Sequence, residues 1–95
     1  MNISAMQIRF LELSREGVFL LGRPLSLSPS EEKLLRAIAE GGKSGRDDLA
    51  KLLPSGVGYG NVAVHINAIN RKAEKISARK LVICEDKRYK INPFM

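Results

Sequence analysis

The chain has one cysteine, Cys84, one histidine, His65, and no tryptophan in 95 residues. A lone cysteine closes no internal disulfide and fits a reducing compartment. One histidine and one cysteine cannot make a zinc set of normal spacing. No apolar run approaches the ~20 residues that cross a bilayer. The first ten residues lack the basic-then-apolar pattern of a signal peptide, so the Asn2-Ile3-Ser4 sequon is a chance match and a cytoplasmic location is expected. Internal repeats and low-complexity stretches are also lacking.

Catalytic constellations are missing too. Gly56 to Gly60 is glycine-rich, but it follows a helical segment and lacks phosphate-loop spacing. Gly42-Lys43-Ser44 resembles the end of a phosphate-binding loop, yet Ala37 stands where that motif needs glycine. Glu31 and Glu32 open a helix and are no acid–base dyad. The expectation is a non-enzymatic domain without cofactor or metal.

What is present is an uneven charge. Residues 1–60 carry eight Lys+Arg against seven Asp+Glu, whereas residues 61–95 carry eight against three. The net charge of +6 therefore lies almost wholly in the last 35 residues. An apolar content of 44% is ample for a core and argues against a disordered basic tail. The sequence thus reads as one domain over 1–95 with an acidic partner.

Apolar runs at 8–13 and 18–21 and an alternating stretch at 24–27, broken by Arg15-Glu16-Gly17 and Gly22, predict a small antiparallel sheet within about 7–27. Ser28-Pro29-Ser30-Glu31 then offers a capping box with proline at the first helical position, for a helix over about 29–40 that Gly41-Gly42 ends. Ser44 and Asp47 repeat the cap more weakly for a short helix over about 45–53, stopped by Pro54. Ser55 to Gly60 reads as a loop. A third helix is expected over 61–77, capped by Asn61, with Val62, Ile66, Ile69, Ala73 and Ile76 on one face. The opposite face holds Val64, Asn67, Ala68, Arg71 and Lys75, flanked by His65 and Lys72 on one side and Asn70 on the other. Two strands within about 81–92 form a hairpin across Asp86-Lys87, with Cys84 and Tyr89 expected to pack. The fold class is α+β, a winged helix-turn-helix: a small N-terminal sheet, three helices and a C-terminal hairpin wing.

These pieces resemble the OmpR/PhoB-type winged-helix domain of bacterial response regulators over roughly residues 6–92. Leu27-Ser28-Pro29-Ser30-Glu31 is similar to that family's Leu-Thr-x-x-Glu helix start. Ser44 to Leu49 loosely resembles its Ser-Arg-Glu-x-Leu second helix. Val62 to Lys72 resembles its Val-Asp-Val-His-Ile-x-x-Leu-Arg-x-Lys reader helix, and Arg88-Tyr89-Lys90-Ile91 its Gly-Tyr-Arg-Leu wing. The departures are Ala63 for aspartate, Ala68 and Asn70 where arginines are common, and Glu85-Asp86 where an Arg-Gly pair is expected. No receiver-like segment accompanies these motifs, so either a stand-alone regulator or an excised piece is expected.

The resemblance implies sequence-specific binding of double-stranded DNA by a transcription regulator. The expected contacts are Asn67 on a base edge, Val64 and Ala68 on thymine methyls, and Arg71 on guanine or phosphate. His65, Lys72 and Lys75 are expected on phosphates, and Lys87 and Arg88 at the minor groove from the wing. RNA polymerase or another regulator is a further partner, although the loop at 55–60 is short for polymerase contact. Pairing as a dimer on DNA is the oligomeric possibility. The alternative is a winged-helix interaction module for an acidic protein. A membrane partner is not expected, because the third helix spends its apolar face on its own core.

Overall fold

Four short strands open the chain: β1 (Met6–Ile8), β2 (Leu11–Ser14), β3 (Gly17–Leu20) and β4 (Arg23–Pro24). The computed structural model describes residues 6–8, 10–41, 44–53 and 60–93. Of the expected loop at 55–60, residues 55–59 lie outside them, as do Pro54 and Gly42, and Gly60 belongs to a helix. The strands pair in sequence order as an antiparallel sheet. Leu11 faces Leu20 and Leu13 faces Val18 across β2 and β3, and all four are buried, whereas Glu12 between them is exposed. Period-two alternation thus turns one side of the sheet into the core. Each of those side chains contributes roughly 1.5–3 kcal/mol by leaving water.

The expected first run divides into two strands, and the expected strand over 24–27 shrinks to β4. Pro24 has no N–H to extend a ladder. The Leu25 N–H makes one more bond, to the Val18 carbonyl at 2.8 Å. The chain then leaves the sheet, and Leu25 is buried in the core.

Helix α1 (Pro29–Gly41) starts at the capping box expected from its sequence. The Glu31 N–H donates to Ser28 Oγ at 3.2 Å, and the Ser28 N–H donates back to Glu31 Oε1 at 2.9 Å. Leu34, Leu35 and Ile38 are buried, and Arg36 Nη2 donates to the Ser14 carbonyl at 2.6 Å, tying the helix to the first sheet.

Ser44 does not cap the next helix. Ser44–Gly45 form a two-residue strand, β5, whose backbone pairs with Tyr89 and Arg88. The residue preceding α2 (Arg46–Ala50) is then Gly45, which has no side chain to cap with. The helix closes early in a tight turn, with the Leu52 and Leu53 N–H groups bonded to the Leu49 and Ala50 carbonyls. Such three-residue bonds end short helices without a glycine. Leu49 and Leu53 are buried.

Helix α3 (Gly60–Ser77) begins one residue before Asn61, so Asn61 lies inside the helix rather than ahead of it. Val62, Ile66, Ile69 and Ala73 are buried and Ile76 is half-buried, completing the predicted stripe. Strands β6 (Val82–Glu85) and β7 (Arg88–Ile91) form the terminal hairpin, and β5 adds a third strand to it in the order β5-β7-β6. Tyr89 packs against the core, but Cys84 is exposed on β6. The architecture is the winged helix-turn-helix expected. No described helix is long and apolar enough to cross a membrane.

Candidate nucleic-acid interface

Because its apolar stripe faces the core, α3 must turn its other side outward. Val64 is 57% exposed, and Asn67, Arg71 and Lys75 are exposed along the same line. Ala68 is half-buried between them. The line runs along about 16 Å of helix, on an element narrow enough for a major groove about 12 Å wide. Arg71 and Lys75 have no hydrogen-bond or ion-pair partner among the described residues. An exposed valine amid polar neighbours is the unusual part, since nothing in the core calls for it.

Lys72 is placed differently. Its Nζ donates to Glu31 Oε1 at 2.6 Å, across 41 residues of sequence. Glu31 is 7% exposed and serves the capping box at the same time. Burial by itself raises the Glu31 pKa. The Lys72 hydrogen bond, the Ser28 backbone N–H and the charges of Lys72 and His65 outweigh it and hold the carboxyl below its ordinary value of 4.5. The ammonium expected on a phosphate is therefore neutralised from within, and half-buried His65 lies near the same carboxylate.

Asn70 is not on the outer flank. It is 7% exposed, and its side-chain amide makes two hydrogen bonds to one residue of the wing. Asn70 Nδ2 donates to the Val82 carbonyl at 2.9 Å, and the Val82 N–H donates to Asn70 Oδ1 at 2.8 Å. Sequence reasoning missed this role. The signal was there: Asn70 follows Ile66 by four and precedes Ala73 by three, on the shoulder of the buried stripe.

The wing tip is a two-residue turn. Asp86 and Lys87 both take positive φ, 53° and 64°, the sign that a tight type I′ hairpin turn requires. Lys87 and Arg88 are exposed and unpartnered among the described residues. The acid that precedes them is partly neutralised, because Lys90 Nζ donates to Glu85 Oε2 at 2.9 Å. Glu85 also lies directly across from Arg88 in the ladder. Arg46, Asp47 and Asp48 of α2 face the tip across a shallow cleft lined also by Cys84 and Tyr89. Among the described residues, no three His, Cys, Asp or Glu side chains are grouped to hold a metal ion.

The structure thus brings Val64, Asn67, Ala68, Arg71 and Lys75 to one face. It sets Lys87 and Arg88 on a separate arm, and ties Lys72 to α1 through Glu31. No protein-family model and no curated protein sequence matches the chain. Among solved structures, the chain is similar to the Klebsiella pneumoniae RstA DNA-binding domain, solved in complex with the RstA box. The two superpose with a TM-score of 0.72 at 21% sequence identity, over 94% of this chain and 97% of that one. The winged-helix fold is common to both.

Proposed function

We propose that this chain binds double-stranded DNA in a sequence-specific way, as the DNA-binding part of a transcription regulator. Helix α3 enters the major groove and the β6–β7 wing lies along the minor groove. The observation that carries this reading is the exposed line Val64, Asn67, Arg71 and Lys75, with the unpartnered Lys87 and Arg88 beside it. Asn67 presents an amide that can pair bidentately with adenine, and Val64 and Ala68 present methyls to thymine. Arg71 reaches guanine or phosphate, while Lys75, Lys87 and Arg88 neutralise phosphates. Lys72 adds little charge to the groove while Glu31 holds it. The RstA domain's complex with its DNA box supports a duplex as the ligand of this fold. A cytoplasmic, non-enzymatic role accompanies the reading.

A second reading is an interaction module for an acidic protein. Val64, 57% exposed on the same face as Asn67, Arg71 and Lys75, favours it. Titration of a fluorescent mixed-sequence duplex at several salt concentrations separates the two. Under the DNA reading, log affinity falls linearly with log salt, by about 0.9 per phosphate neutralised. Absence of binding at low salt overturns that reading and makes the acidic-partner reading the leading one.

A further inference from the structure

We propose that Asn70 is a positioning residue that fixes the wing against the reader helix, by taking the place of a neighbouring strand on the outer edge of β6. Its consequence for binding rests on the DNA reading above. Its geometry belongs to the free protein.

Strand β6 is an edge of its sheet. In a tight antiparallel hairpin the pair next to the turn, here Glu85 and Arg88, exchanges backbone bonds, and the pattern then alternates. Ile83 accordingly bonds inward to Lys90, and Val82 turns its N–H and C=O outward, where a further strand would dock. Asn70 meets both groups, at 2.8 and 2.9 Å. A short amide can do this because it carries a donor and an acceptor in one plane, as a peptide does. The arginine that the reader-helix resemblance leads one to expect at this position has donors only. It would leave the Val82 N–H buried without an acceptor. The departure at position 70 therefore has a structural cause in this chain.

The sheet is gripped from both sides. On one edge β5 pairs with β7, and on the other Asn70 pairs with β6. From Val82 the strand extends four residues to Asp86, roughly 13 Å of lever at ~3.3 Å per residue. A tilt of about ten degrees at Val82 moves the tip by ~2 Å on that lever, enough to break direct pairing of Lys87 and Arg88 with phosphates. Asn70 makes no nucleic-acid contact of its own in this scheme. It sets where the wing cations stand relative to Asn67 and Arg71.

The test compares two single-site penalties in two backgrounds, read as the slope of log affinity against log salt on a duplex. In the parent, Arg71→Ala and Arg88→Ala are each expected to lower the slope by about 0.9. In an Asn70→Ala background, Arg71→Ala keeps its effect and Arg88→Ala loses most of it, because the wing no longer stands at its phosphate. An equal effect of Arg88→Ala in both backgrounds overturns the proposal, and loss of fold alone does not produce the selective result. If Asn70→Ala gives no cooperative melt, Asn70→Asp replaces it. That variant keeps the shape and the bond from the Val82 N–H while setting an oxygen against the Val82 carbonyl. If the parent binds no duplex, the DNA reading fails. Residual dipolar couplings of the hairpin amides in the free protein then decide the positioning. An unchanged hairpin orientation relative to α3 in the variant overturns it, and a reoriented hairpin upholds it.

Discussion

The two sheets of this molecule are both built on tight antiparallel hairpins, yet they bury very different shares of themselves. In β2 and β3, Leu11, Leu13, Val18 and Leu20 all point into the core. In β6 and β7, Val82 alone is buried, while Cys84, Glu85 and Arg88 are exposed. The first sheet is held by what it removes from water. The second is held by hydrogen bonds to its backbone at both edges, from β5 on one side and the Asn70 side chain on the other, and its turn carries Lys87 and Arg88 without partners among the described residues. The difference shows how one fold can pair a rigid body with an arm whose stability depends little on side-chain burial.

Removing a core side chain from the first sheet should have the largest effect. Leu20→Ala is expected to cost about 2–5 kcal/mol, because Leu20 is fully buried and its cavity cannot collapse completely. Ile83→Ala in the half-buried wing should cost less than about 1.5 kcal/mol. Urea unfolding measures both. Equal losses would mean that the wing is as much a part of the core as the first sheet is.

Next comes a loss of binding without loss of fold. Replacing Lys87 and Arg88 together by alanine should lower the salt slope of duplex binding by about 1.8, two phosphates' worth. The unfolding free energy from urea titration should stay within about 0.5 kcal/mol of the parent, as for ordinary surface changes. A large fall in stability would place these residues in the fold and not in the interface.

Local chemistry made much of this legible in the sequence. The Ser28–Glu31 box, the Val62-to-Ile76 stripe and the turn at Asp86-Lys87 depend on residues within a few positions of one another, and each appears where spacing puts it. The misses share a different cause. Ser44 was read as a cap, but its backbone is claimed by Tyr89, which no local pattern reports. Lys72 was read as a phosphate contact, and its partner within the protein lies 41 positions away. Asn70 was read as a flank of the outward face, and its partner lies 12 away across a turn. Helical spacing identifies an outward face. It does not tell which of that face's polar groups another element has already taken.

The two lysine–glutamate pairs give a smaller test of the same contrast. Glu31 is buried beneath Lys72, whereas Glu85 is exposed beside Lys90. Glu31→Gln keeps the capping-box acceptor and removes the charge, and should cost roughly 1 kcal/mol. Glu85→Gln should cost at most about 0.5 kcal/mol, as for exposed pairs. The folded-state pKa of Glu31 is depressed, so its contribution is complete above the ordinary value of 4.5 and is lost as pH falls through the depressed value below it. The difference in unfolding free energy between parent and Glu31→Gln should therefore shrink only in acid below 4.5. A difference that stayed constant down to full protonation would mean that the charge has no part in it.

The smallest effect concerns the turns themselves. Between β3 and β4 the chain turns through Leu21 and Gly22, at φ of 53° and 79°. The wing turns through Asp86 and Lys87, at 53° and 64°. Glycine therefore takes the second position in the first sheet, and lysine takes it in the wing. A left-handed conformation costs an ordinary L-residue roughly 1–2 kcal/mol, and glycine adopts it freely. Glycine's greater freedom in the unfolded chain returns about 0.4–1 kcal/mol of that. Lys87→Gly should accordingly stabilise the protein by about 0.5–1 kcal/mol while lowering the salt slope of duplex binding by about 0.9. Opposite signs in the two measurements would mean that the wing keeps a strained lysine for its charge. A gain in stability with the slope unchanged would make Lys87 an ordinary surface residue at a poorly chosen turn, and would leave Arg88 as the sole cation of the tip.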